Sequence, residues 1–82
     1  MHIERTRYII RRKSDSAIMC GLARNFKFKK ESEIGDTAIK TYVSGQKALV
    51  AAWSSYRYTK DDVCIEKVVE IISSSEGGEI ND

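Results

Sequence analysis

Eighty-two residues with 41% apolar and 32% charged side chains suit a single domain with a thin core, and they exclude a second core or a composition-driven disordered chain. The charge is divided along the chain: residues 1–30 hold nine Lys/Arg against two acids, and residues 31–82 hold five against ten, for a net +2. A small chain polarised in this way is expected to meet another macromolecule rather than turn over a metabolite.

Residues 1–6 precede the first strong pattern and read as an N-terminal arm. Residues 7–13 (RYIIRRK) are β-branched and aromatic at their centre, and Ser14-Asp15-Ser16 can bond the backbone of a tight turn. Residues 17–23 (AIMCGLA) read as a second strand, completing an opening hairpin in which Gly21 marks a bulge or a close backbone approach. Phe26-Lys27-Phe28-Lys29-Lys30 alternates rings with lysines, as a short strand or an ordered loop over 24–35. Gly35-Asp36 signals a turn before Ala38–Val43, read as another half-buried strand.

Ser44 is placed to cap a helix over 45–56 by accepting from the backbone N–H of Gln46 or Lys47, with Val43 stapling onto Ala48. Leu49, Ala52, Trp53 and Tyr56 fall on one helical stripe. About three turns are marginal alone, so this helix must dock. In residues 63–72 Val63, Ile65, Lys67, Val69 and Ile71 share one strand face, and Cys64, Glu66, Val68, Glu70 and Ile72 share the other. Residues 73–82 (SSSEGGEIND) read as a flexible acidic tail. The order predicts one α+β domain over 1–72: a small, mainly antiparallel sheet of about four strands with one α-helix packed across one face. A curled half-barrel plugged by the helix fits the same pattern.

The chemistry-bearing residues suggest no catalytic site, metal site or cofactor. The single His is His2, in the expected arm, away from any nucleophile. Glu66 and Glu70 would lie about 13 Å apart on a strand, too far to act as paired acid and base. Cys20 and Cys64 have no CxxC spacing and read as small apolar residues. The glycines form no phosphate-binding run, and no stretch of about 18 apolar residues offers a membrane-spanning helix. Without an apolar N-terminal leader, the expected setting is cytosolic with reduced thiols.

One group has the composition of a docking surface: Arg7, Arg11, Arg12 and Lys13 with Lys27, Lys29 and Lys30. Grouped, they would neutralise several phosphates or face an acidic protein surface; otherwise they are solvated strand faces paired with Glu66, Glu70 or the tail. Trp53 and Tyr56 belong to the core by spacing, whereas Tyr58, beside Arg57, is a candidate hot-spot residue.

Tyr8–Lys13, Ile39–Ser44 with Lys47-Ala48, and Val68–Glu70 together resemble the small strand-rich, single-helix accessory proteins of bacteriophages and prophages. The resemblance covers most of residues 7–72. It implies a bacterial cytoplasmic setting and the binding of a host or viral macromolecule, including inhibition of a defence system. The expected function is therefore a non-enzymatic protein-binding module using the basic hairpin or an exposed sheet edge, with homodimerisation through that edge as the simplest version. The alternative is a weak, sequence-independent nucleic-acid binder using the same cations.

Overall fold

Runs of β-branched, aromatic and apolar residues form the strands, and β1 and β4 match each other in length. The computed structural model describes residues 1–22 and 25–73. It contains β1 (His2–Arg12), β2 (Ile18–Leu22), β3 (Asn25–Lys29) and β4 (Val63–Ser73), in the order β3-β2-β1-β4 with every neighbour antiparallel. One helix of mixed pitch, α1, runs from Gly45 to Ser55. This is the expected α+β fold.

β1 and β4 pair over their whole length, from His2 opposite Ser73 to Arg12 opposite Val63. Residues 1–6 are thus not a separate arm. From His2 onward they form the outer half of β1, because Val69–Ser73 continue the strand opposite them. Ser73, expected to open the acidic tail, instead closes β4, and residues 74–82 lie outside the described residues.

The β1–β2 turn is held by the Asp15 carboxylate, which accepts from the Ala17 N–H at 3.1 Å, while Ser16 takes the left-handed conformation at φ 60°. The two strands touch through Arg11 opposite Ile18 and the Arg12 N–H donating to the Ala17 carbonyl, and then diverge. The chain at 38–42 spans the divergence. The Gly21 N–H donates to Ala38 and the Lys40 N–H to Met19, while Tyr8 and Tyr42 exchange two bonds of 2.9 Å. The strand expected over 38–43 is therefore reduced to two isolated bridges, at Ile39 and Tyr42. A segment that serves two diverging strands has to turn between them and cannot keep a ladder on either.

Ser44 caps α1 as expected, its hydroxyl accepting from the Lys47 N–H at 3.1 Å. The helix is α-helical over Gly45–Val50 and widens to a π-turn over Ala51–Ser55, where the Tyr56 N–H reaches back to Ala51. Ala48 and Ala52 are fully buried. With only a methyl group at these positions the helix axis comes close to the sheet, and Leu49, Trp53 and Tyr56 are left half-buried around the contact.

The core is two-sided. Ala52 of the helix packs with Ile10, Met19 and Val63, ringed by Phe26, Phe28, Tyr42, Tyr56 and Tyr58. On the opposite face Ile9, Ile18 and Cys20 are covered by Ile34 and Val68. Each fully buried Ile or Met contributes about 1.5–3 kcal/mol relative to exposure. Both layers stop near Tyr8, so the outer β1–β4 ribbon extends past them. The radius of gyration is 14.7 Å with a longest extent of 46 Å, against about 12 Å for a compact chain of this length.

Gly21 fulfils its expected role as a close backbone approach. At φ 109°, a Cβ there would lie 2.3 Å from the Asn25 carbonyl oxygen, whereas at Gly35 (φ 51°) it would meet nothing within 4 Å. Gly21→Ala is expected to cost about 3 kcal/mol or more, and Gly35→Ala about 1 kcal/mol, in urea unfolding. Equal losses in the two variants would mean that the β2–β3 hairpin is not closed as described.

Candidate functional site

Strand pairing assigns the cations to places. Opposed residues of antiparallel strands share a face, so Arg7, Arg11, Lys27 and Lys29 lie on the face away from the helix and Arg12 on the helix face. Arg11, Ile18 and Lys29 make one row across β1, β2 and β3. Lys13 sits in the β1–β2 turn, and Lys30 follows β3.

The arginine at the centre of this group is engaged internally. Arg11 donates from Nε to Glu66 on β4, from Nη1 to the Ser16 carbonyl at 2.8 Å and from Nη2 to Glu31 at 3.1 Å. Its side chain is 17% exposed. The bond to Glu66, and after it the one to Glu31, hold the guanidinium further in its charged form against the opposing effect of burial. Arg12 grips Asp15 through two bonds of 2.9 and 2.7 Å, and its guanidinium carbon lies 4.7 Å from the centre of the Phe28 ring. Such a bidentate, ring-stacked arginine closes a turn and covers an aromatic edge. Glu66 falls where sequence reasoning placed an acid partner. The contribution of Glu31 was not foreseen, since no strand or helix period links residue 31 to residue 11.

The other candidates are dispersed. Lys29 donates to the Thr37 hydroxyl at 3.0 Å, and Arg7 donates to the carbonyl of its neighbour Thr6. Lys13, Lys27, Lys30 and Arg57 are exposed, Arg57 in the left-handed conformation at φ 59°. Tyr58 is half-buried and packs edge-on against Phe28 and Phe26, with centroids 5.7 and 6.5 Å apart, as part of the core margin. Between the sheet and residues 31–41 lies an open groove of about 610 Å³ with an apolar floor, and with Arg7, Arg11, Glu31, Glu66 and Glu70 around it. Its mixed charges favour neither sign of ligand. Nearby, burial and then the Tyr56 phenol push Tyr42 up to about 12.

A different surface stands out at the sheet's edges. β3, at one edge, is five residues long and carries Lys27 and Lys29, the usual protection of an edge against strand addition. β4, at the other, is eleven residues long, and its outer half exposes Val69 (58%) and Ile71 (60%). They share the helix-side face beyond the helix, and among the described residues no strand pairs with the outward side of β4. The sequence contained part of this signal: the strand read over residues 63–72 is ten residues long, and a helix of about three turns cannot cover that length.

No protein family, curated protein or solved structure matches the chain. Among the described residues there is no group of three or more His, Cys, Asp or Glu able to hold a metal, and no helix long and apolar enough to cross a membrane.

The Asp15 turn has a pH signature. The bond from Arg12, followed by that from the Ala17 N–H, lowers Asp15 to about 2. A carboxyl group lowered on folding adds stability above its unfolded pKa of about 4 and loses it as pH falls through the folded value. Wild type should therefore exceed Asp15→Asn in thermal stability at pH 6, with the gap closing between pH 4 and pH 2. A gap that stays constant over that window would rule out the Arg12–Asp15 pair as its source.

Proposed function

We propose that this chain is a non-enzymatic protein-binding module whose docking element is the outer β1–β4 ribbon with its free β4 edge. The observation that carries this reading is an eleven-residue strand that lies at the sheet edge among the described residues, beside two exposed branched side chains, Val69 and Ile71. An added strand would gain backbone hydrogen bonds along that edge and cover both side chains, the mode of recognition known as β-augmentation. Val and Ile each contribute about 0.75–1.5 kcal/mol when half their surface is covered in this way.

Electrostatics supports a protein partner over nucleic acid. Arg11 and Arg12, the innermost members of the basic group, are bound to Glu66, Glu31 and Asp15. A phosphate would have to displace carboxylates already hydrogen-bonded to them. The exposed Lys13, Lys27, Lys30 and Arg57 are spread over the turn, the far edge strand and the segment after the helix. The biological context we propose is that of a phage-type accessory protein in the bacterial cytoplasm, binding a host or viral protein, with inhibition of a defence system as one version.

Two parallel measurements test this reading. With mixed DNA and RNA at low salt, wild type and Lys27→Glu/Lys30→Glu should bind equally weakly; tight binding by wild type that disappears in the double variant would transfer the function to the lysines. In bacterial lysate, a partner retained by wild-type bait should be lost with Val69→Lys and kept with Lys27→Glu/Lys30→Glu. The reverse pattern would remove the edge from the function.

A further inference from the structure

We infer that the free β4 edge pairs with the β4 edge of a second copy, in an antiparallel register centred on Val69. This inference rests on the reading of that edge as a docking surface and specifies its occupant.

Two copies joined edge to edge about a two-fold axis perpendicular to the sheet keep their faces aligned, so facing residues share a face and every register centres on a single residue. The charges of β4 then select among the centres. Centring on Glu66, Lys67 or Glu70 sets a like charge against itself, and centring on Val68 sets Glu66 against Glu70. Centring on Val69 sets Val69 against Val69, Lys67 against Ile71, Val68 against Glu70 and Glu66 against Ile72, with no like charges opposed. It engages Ile65 to Ser73 of both copies. Centres at Ile65 or Ile71 also avoid like charges but engage five residues or fewer on either strand.

The surroundings of β4 fit the same register. Val69 and Ile71 of the two copies form one apolar cluster of four side chains on the helix-side face. Lys67 of each copy lies over Ile71 of the other, and Ile71 stands opposite Glu4 on β1, so the ammonium meets a carboxylate at the cluster's margin. On the other face Glu66 is held by Arg11 and Glu70 stands opposite Arg5, which mutes the diagonal approach of these carboxylates between copies. The outer part of β1 offers no equivalent. Centres at Glu4 and Arg5 oppose like charges, and a centre at Thr6 sets Arg5 against Arg7.

Sedimentation equilibrium combined with cysteine pairing tests the inference. Wild type should show twice its 9.3 kDa mass at concentrations up to about 0.5 mM, and Val69→Lys should weaken association at least tenfold, about 1.4 kcal/mol. In a Cys64→Ser background treated with oxidised glutathione, Val69→Cys should cross-link two chains, because the introduced thiols face each other. Ile71→Cys should not, since its copies would be offset by about 13 Å. Both positions are exposed, and circular dichroism verifies that each variant folds. A dimer that cross-links through Ile71→Cys, or fails to cross-link through Val69→Cys, overturns the register. A monomer throughout overturns the second copy as occupant, while a lysate partner lost with Val69→Lys would leave the docking edge itself standing.

Discussion

The whole molecule depends on the pairing of residues 2–12 with residues 63–73. β1 and β4 stand at opposite ends of the described chain, so the register from His2–Ser73 to Arg12–Val63 closes everything between them into one loop. Closing a loop of about fifty residues costs about 3–4 kcal/mol of chain entropy. The burial of Ile10 and Val63, with Ile65 packed against them, offsets that cost where the helix lies over the pair. α1 therefore does more than cover a face. Through Ala48 and Ala52 it seals the junction of the two strands that hold the chain ends together, and the Ser44 cap fixes where it begins.

That pairing also brings the two halves of the charge division into contact. An antiparallel register between the basic first strand and the more acidic last one lays opposite charges side by side: Arg5 faces Glu70, and Arg11 reaches Glu66 next to its own partner Cys64. Exposed pairs of this kind contribute little individually. Arg11 is the exception in position, because its three bonds reach β4, the β1–β2 turn and the short helical turn at Glu31–Glu33 together. It acts as a clasp between three segments. Arg11 and Arg12 thus serve to assemble the fold, while Lys13, Lys27 and Lys30 stay exposed.

What the sequence disclosed, and what it hid, follows from whether a feature is local. β-Branched, aromatic and apolar runs marked β1 and β2, the two faces of 63–72 marked β4, the Phe26/Phe28 alternation left β3 open between strand and loop, and Ser44 marked the start of the helix, since each depends on residues a few positions apart. Residues 1–6 hid their strand because Ile3 is the sole apolar residue after Met1, and the case for a strand lies in Val69–Ser73, more than sixty positions away. Residues 38–43 misled in the opposite direction. Their strand-like composition is real, but the divergence of β1 from β2 that denies them a ladder is a tertiary property. The candidate site divides in the same way: Glu66 was legible as an acid partner for the basic strand, whereas the binding of Glu31 to Arg11 and the exposure of Val69 and Ile71 required the fold.

The outer ribbon carries an energetic consequence that links stability to interaction. Of its cross-strand pairs, Ile3–Ile72, Glu4–Ile71, Arg5–Glu70 and Thr6–Val69, the opposite-charge pair Arg5–Glu70 contributes about 0.2–1 kcal/mol. Ordering each backbone residue costs about 1–2 kcal/mol. A two-stranded ribbon without a third strand or a covering layer is marginal on those terms, and here its order is borrowed from the inner half of the same strands, where Ile10 and Val63 are locked under the helix. Any strand that joins the β4 edge supplies the missing third strand and covers Val69 and Ile71 in one step. The free energy that orders the ribbon and the free energy that binds the partner are therefore coupled: a better-ordered ribbon presents a better edge, and an occupied edge holds the chain ends together more tightly.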